Sequence, residues 1–195
     1  SKNFYYIDHG YLGASNRTFN QGSTIIKDLD GYFRVVQNDF IGFKIKKFDN
    51  KRLDKLNLNF KKKRTSGEYI ILSEPSHYIK NFFNLNNWVD QTIDKIKKHT
   101  DRKIFIHNKF SQIPLDLLLE KAWAFVSFQS TAGFKAMLRG IPAHFTYKNL
   151  ENINTIEEIE FGKINLSVFS ALSYNQWTLN EFQSGEAWEH ISEIK

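Results

Sequence analysis

Four short polar clusters hold the residues of this chain best suited to chemistry, and each follows an apolar run. Ser73-Glu74-Pro75-Ser76 follows YIIL, His107-Asn108-Lys109 follows KIFI, Gln129-Ser130-Thr131 follows AFVSF, and Tyr147-Lys148 follows AHFT. Hydroxyls, amides and ammonium groups are the side chains that hold phosphate or carboxylate. Gln129-Ser130-Thr131 also opens a helical pattern over residues 131–138. The first turn of a helix has N–H groups without intrahelical partners and carries partial positive charge, so an anion is stabilised there. Ser130 and Thr131 add hydroxyl donors, and Gly133 lets a ligand or the next strand come close. The same hydroxyls also suit an N-cap, worth about 1 kcal/mol. The sequence leaves both roles open.

A second cluster, Asp8-His9-Gly10-Tyr11, sits on a glycine-flanked loop after the aromatic run FYYI. An Asp beside a His is the pairing from which a general base is built. Neighbours on a strand face opposite ways, however, so adjacency alone brings no contact, and a structural turn is the other reading. Arg34 and Asn38, in YFRVVQND, can reach the same crevice. Arg34 has the fork geometry that clamps a carboxylate or phosphate, and it reads equally as a surface strand residue.

Much chemistry is excluded. The chain has no Cys, so disulfides, thiol catalysis and cysteine-ligated zinc are ruled out. No G-x-G-x-x-G or G-x-x-x-x-G-K-[ST] occurs, which argues against dinucleotide and P-loop sites. Ser130 lies between Gln129 and Thr131, with Phe128 and Ala132 where a nucleophile elbow requires glycines. The six His are scattered without ligand spacing, so no metal site is indicated and no cofactor is expected.

The elements that must position these residues follow from periodicity. Residues 4–7, 32–36, 69–72, 103–106, 124–128 and 143–146 read as short strands. Residues 88–99, 114–122 and 131–138 have helical spacing, with Gly140 as the stop of the last. The tail from Asn165 looks helical, and its Trp177 and Trp188 are expected to cap the core. Beyond the turn Thr65-Ser66-Gly67, strands alternate with helices. That pattern predicts an α/β fold, a Rossmann-like parallel sheet with helices on both faces. A small or truncated N-terminal α/β portion precedes it. The expected domains are residues 1–66 and 67–195. In such a sheet ligands bind beyond the carboxyl ends of the strands, which is where all four polar clusters fall.

Composition bounds the partners. Hydrophobic residues make up 41% of the 195 positions, enough for a packed interior rather than disorder. No run reaches membrane-spanning length and no signal peptide is evident, so a cytoplasmic protein is expected. The opening SKNFYYIDHG lacks a Met and is already strand-like, so a trimmed chain or the later part of a longer protein is expected. The net charge of +6 is uneven: residues 1–109 carry 21 Lys and Arg against 11 Asp and Glu, and the remainder carry 6 against 10. The densest segment, KIKKFDNKRLDKLNLNFKKKR, runs from Lys44 to Arg64. It reads as a solvated surface or linker, or as a contact for an anionic glycan, lipid or nucleic acid.

The stretch AFVSFQSTAGFKAMLRGIPAHF resembles the strand, small polar loop, helix and Gly-Ile-Pro segment of GT-B-type glycosyltransferases. It resembles in particular capsule-polysaccharide and Kdo-transferase-like proteins, including compact versions in marine bacteria and phage. The stretches at residues 6–11, 32–38 and 106–109 and the tail FSALSYNQWTLNEFQSGEAW resemble the same family. The resemblance implies transfer of a sugar from a nucleotide-sugar donor to a glycan acceptor without bound metal. Gln129, Ser130, Thr131 and Gly133 would hold donor phosphate, and Ser73, Ser76 and Lys109 would line the same cleft. Asp8 or His9 would be the base, and Arg34 would help the departing phosphate. The family helix often carries Glu where this chain has Lys135, which leaves open a different donor or lost activity. Two further readings stand beside this one: a non-catalytic module binding anionic glycan or nucleic acid through the basic segment, and a nucleotide-sugar epimerase.

Overall fold

A computed structural model of the chain describes residues 3–13, 17–20, 23–26, 31–41 and 48–193. The chain forms two units, one of residues 1–57 and 166–195 and the other of residues 58–165. The expected division into 1–66 and 67–195 therefore differs in two respects: residues 58–66 go with the second unit, and the tail does not. The tail joins the N-terminal portion, because a late strand pairs with an early one.

Strand β1 (Tyr5–His9) runs antiparallel to β4 (Phe33–Gln37), with Asp8 opposite Arg34 and His9 opposite Phe33. Strands β2 (Arg17–Asn20) and β3 (Ser23–Ile26) form a separate antiparallel pair. Helix α1 (Lys51–Lys55) lies inside the basic segment, of which residues 44–47 fall outside the described residues.

The second unit holds β5 (Tyr69–Ser73), α2 (His77–Phe83), α3 (Trp88–Lys97), β6 (Lys103–His107), α4 (Leu115–Leu119), β7 (Ala122–Ser127), α5 (Ala132–Leu138) and β8 (Ala143–Phe145). A short 3₁₀ turn, Ile156–Glu158, follows. The four strands are parallel in the order β6-β5-β7-β8. Ile70, Ile71 and Leu72 of β5 and Phe125 and Val126 of β7 are fully buried, as central parallel strands covered on both faces must be. This is the α/β, Rossmann-like sheet flanked by helices that the sequence predicts. Residues 58–64 lie along the end of α5, where the Lys61 amide donates to the Leu138 carbonyl and the Arg64 amide to that of Gly140. Gly140 is required there. Its φ is +81°, and a Cβ would meet the Lys62 carbonyl oxygen at 2.2 Å.

The chain then returns to the first unit with α6 (Leu166–Ser173), β9 (Gln176–Trp177), α7 (Leu179–Gln183) and α8 (Glu186–Glu193). β9 pairs antiparallel with β4. Trp177 is fully buried in a cluster with Val35, Ala187 and Ile191. Trp188 stays half-exposed against Tyr5 and Phe182, so only the first of the two tail tryptophans is a core residue. Among the described residues no helix is long and apolar enough to cross a membrane.

Candidate functional site

The strand order locates a crevice. From β5 the chain moves outward to β6, then crosses back past β5 to β7. The direction reverses between β5 and β7, and the space beyond their carboxyl ends is where open α/β sheets bind ligands. Ser73 closes β5 with His107 of β6 in register on one side and Ser127 of β7 on the other. The Ser73, Lys109 and Gln129 clusters thus share one edge of the sheet.

Beyond β5 and β6 lies an open cleft of about 420 Å³, lined in part by Glu74, Ser76, Tyr78, Asn108, Lys109 and Phe110. It brings the expected residues Ser76 and Lys109 together. Ser76 caps α2, accepting the Ile79 amide at 3.4 Å. The Glu74 amide continues the β5–β6 ladder to the His107 carbonyl, 2.8 Å. The Glu74 carboxylate is held at both oxygens, by Lys80 Nζ at 2.7 Å and by Asn108 Nδ2 at 3.1 Å. The Lys80 bond, then the Asn108 bond, keep this carboxyl below the usual glutamate range, so it is ionised at neutral pH. The other end of Asn108 accepts the Phe110 amide at 2.9 Å, which fixes the loop that presents Phe110.

At the end of β7 the geometry shows the capping role, one of the two that the sequence left open. The Ser130 hydroxyl accepts the Ala132 amide at 3.2 Å. The Gly133 amide donates to the Ser130 carbonyl, and those of Phe134 and Lys135 to that of Thr131. Ser130 therefore acts as a local cap, and the first-turn amides of α5 are already engaged. Thr131 has helical backbone angles and makes no side-chain cap. Gly133 serves packing: a Cβ there would meet the Phe145 ring of β8 at 2.5 Å. Gln129 keeps a buried Oε1 with no partner among the described residues, an acceptor costly to leave unmet. Lys135 is exposed and pairs with Asp116 of α4 at 2.8 Å, as does Arg139 at 2.7 Å. Its charge is taken up between helices.

Asp8, His9 and Arg34 belong to the first unit. Asp8 Oδ2 receives Arg34 Nη2 at 2.8 Å and the Tyr6 hydroxyl at 2.9 Å, and Oδ1 takes the His9 amide at 2.7 Å. Desolvation, then the bond to Asp8, push the Tyr6 hydroxyl pKa up, so Tyr6 remains a donor. Arg34 is buried, with its guanidinium 5.1 Å from the Tyr11 ring centre and 5.6 Å from that of Tyr6. The His9 ring stacks on Phe33. The strand sends Asp8 and His9 to opposite faces, so they form no dyad. Asn38, at φ +59°, turns the chain after β4 and accepts the Phe4 amide.

The basic segment is partly structural. Arg52 is buried: Nε donates to the Ser173 carbonyl at 2.9 Å, Nη2 to that of Gln176 at 2.9 Å, and Nη1 to Glu181 at 2.7 Å. Its guanidinium lies 4.2 Å from the Trp177 ring centre. Arg64 donates to the carbonyls of Leu119 and Glu120. Lys61 and Lys62 remain exposed.

Compared with known proteins, the chain matches no family model and no curated protein. Among the described residues no cluster of three His, Asp or Glu is placed to hold a metal ion. Sequence reading passed over Glu74, Asn108, Tyr78, Lys80 and Phe110. Glu74 and Asn108 stood inside the polar clusters at the strand ends. Tyr78 and Phe110 stood one to two residues beyond, where an aromatic after a polar turn was the available signal.

Proposed function

We propose that the second unit binds a nucleotide-sugar and that the chain is a glycosyltransferase-like protein acting on a glycan acceptor. The observation that carries the binding half is the switch point between β5 and β7, with its polar strand ends and the adjoining cleft. The resemblance of AFVSFQSTAGFKAMLRGIPAHF to the GT-B segment supports the transfer half. Lys109, exposed at the cleft, and Thr131 are the donor-phosphate contacts, while Ser130 holds the loop.

In the transfer, an acceptor oxygen bonds to the sugar's anomeric carbon as the bond from that carbon to phosphate oxygen breaks. The acceptor proton goes to a base, and the nucleotide leaves with the electron pair. Within the first unit, Arg34 and Tyr6 fix the Asp8 carboxylate, which makes Arg34 a positioning residue for it rather than a phosphate clamp. Lys109 offsets charge on the leaving phosphate.

Alanine at Lys109 and at Thr131 should each weaken UDP, CMP or GDP binding at least threefold in calorimetric titration. Unchanged affinity in both variants removes the donor site. The rival reading, an anion-binding surface on the segment Lys44 to Arg64, rests on exposed lysines such as Lys61, Lys62 and Lys63, since Arg52 and Arg64 serve the fold. Heparin binding that falls steeply with salt, with no nucleotide binding, would favour it.

A further inference from the structure

The cleft beyond β5 and β6 carries two features that phosphate binding does not use. Tyr78 and Phe110 are 87% and 89% exposed, yet both line this one cleft. Isolated exposed apolar residues are ordinary, but two aromatic rings left open at the rim of a single concavity offer flat faces to a ligand. The same lining has a polar, fixed member: Glu74 is clamped by Lys80 and Asn108. Each carboxylate oxygen has two lone pairs, and the clamps use one on each side. The others accept from ligand O–H groups. A phosphate set against Glu74 itself would meet a like charge, so this carboxylate takes hydroxyl donors, while Lys109 of the same cleft is left for an anion.

We propose that this cleft binds a sugar ring. Glu74 accepts two neighbouring hydroxyls, Asn108 holds the carboxylate for them, and Tyr78 and Phe110 cover the ring's C–H faces. A vicinal diol matches the spacing of two carboxylate oxygens, and C–H groups of a sugar carry the partial positive charge that an aromatic face attracts. The chemistry is shared by the ribose of a nucleotide and by a pyranose of a free glycan. The proposal goes beyond the phosphate contacts assigned to Lys109 and Thr131, and it can stand if those fail.

The test is calorimetric titration of the whole chain with UDP, CMP and GDP, with their 2′,3′-dideoxy counterparts, and with maltotriose, cellotriose and chitotriose. Glu74→Gln, which keeps the shape and removes the charge, should weaken the bound probe at least tenfold, roughly one charge-assisted hydrogen bond. Tyr78→Ala and Phe110→Ala, at exposed positions, should each weaken it about fivefold. Nucleotide binding lost on both dideoxy substitution and Glu74→Gln supports the proposal with ribose as the ring. Oligosaccharide binding lost on Glu74→Gln, without nucleotide binding, supports it with a free glycan and removes the donor site. Nucleotide binding that Thr131→Ala weakens, but the Glu74, Tyr78 and Phe110 variants do not, overturns the sugar cleft and keeps the donor site. Binding of none of the probes overturns both.

Discussion

The two units solve the same problem, covering a small sheet, by different means. The second unit does it with apolar side chains: β5 and β7 are buried on both faces, and Phe134, Met137 and Phe145 close over them. Among the described residues, the main sheet of the first unit has three short antiparallel strands, and the tail helices are anchored by a buried arginine. Arg52 reaches two carbonyls, the carboxylates of Glu181 and Glu186 and one indole face from α1. A parallel sheet with covered faces needs few polar anchors. A small sheet whose last strand is two residues long lacks the apolar area to hold a tail by burial alone.

The largest effect should come from breaking that anchor. Arg52→Ala takes the charge partner from Glu181, which keeps only its Thr178 bonds, and removes a donor from the Ser173 and Gln176 carbonyls; it should cost about 3–5 kcal/mol. Hydrogen exchange should then rise across β4, β9 and α6 before it rises across β5 and β7. Equal loosening of both sheets would show that the contrast between the units is wrong. In the second unit the matching weak point is a backbone position. Gly140→Ala puts a side chain at φ +81° against the Lys62 carbonyl and should cost about 3 kcal/mol in a urea melt. A loss under 1 kcal/mol would mean that residues 58–64 are free to shift away from α5.

Acid separates the units more gently. Burial, the dominant influence, pushes the pKa of His144 down despite the Nδ1 contact of 2.6 Å with the Thr155 carbonyl. The unfolded chain therefore takes up this proton first. Stability from neutral His144 is complete above about pH 6.5 and is lost as the pH falls from there toward the depressed folded value. Glu181 behaves differently. Burial raises its pKa, but Arg52 and Thr178 together outweigh that and hold it low. Its contribution is present above the ordinary carboxylate range and is lost as the pH falls through the folded value. Melts between pH 7 and 5 should show the second unit weakening in the native chain and not in His144→Gln, while the loss tied to Glu181 comes at lower pH. A slope unchanged in His144→Gln would put the titration elsewhere.

The same contrast decided what could be read from sequence. The runs YIIL, KIFI, AFVSF and AHFT are short, apolar and separated by helical spacing, so the parallel sheet was legible, and so were the clusters at its carboxyl edge. The start of α5 was legible too, but whether its amides were free was not, because the Ser130 cap is a matter of rotamer. The first unit was hidden by distance in sequence. The pairing of β9 with β4 joins residues more than 140 apart, and nothing local in Gln176 and Trp177 announces a strand. Arg52 read as one charge among many in a basic segment, although it is buried. The aromatic rim at Tyr78 and Phe110 was hidden for another reason, since exposure is a property of the folded surface.

The central claim is that the carboxyl edge of the second unit's sheet is a nucleotide-sugar site. Its most direct test is an amide-detected NMR titration with UDP, CMP and GDP. Saturable shifts confined to residues 73–80, 107–111 and 129–134 are the result expected. Shifts absent with all three nucleotides, or gathered on Lys61 and Lys62 and abolished by moderate salt, would contradict it.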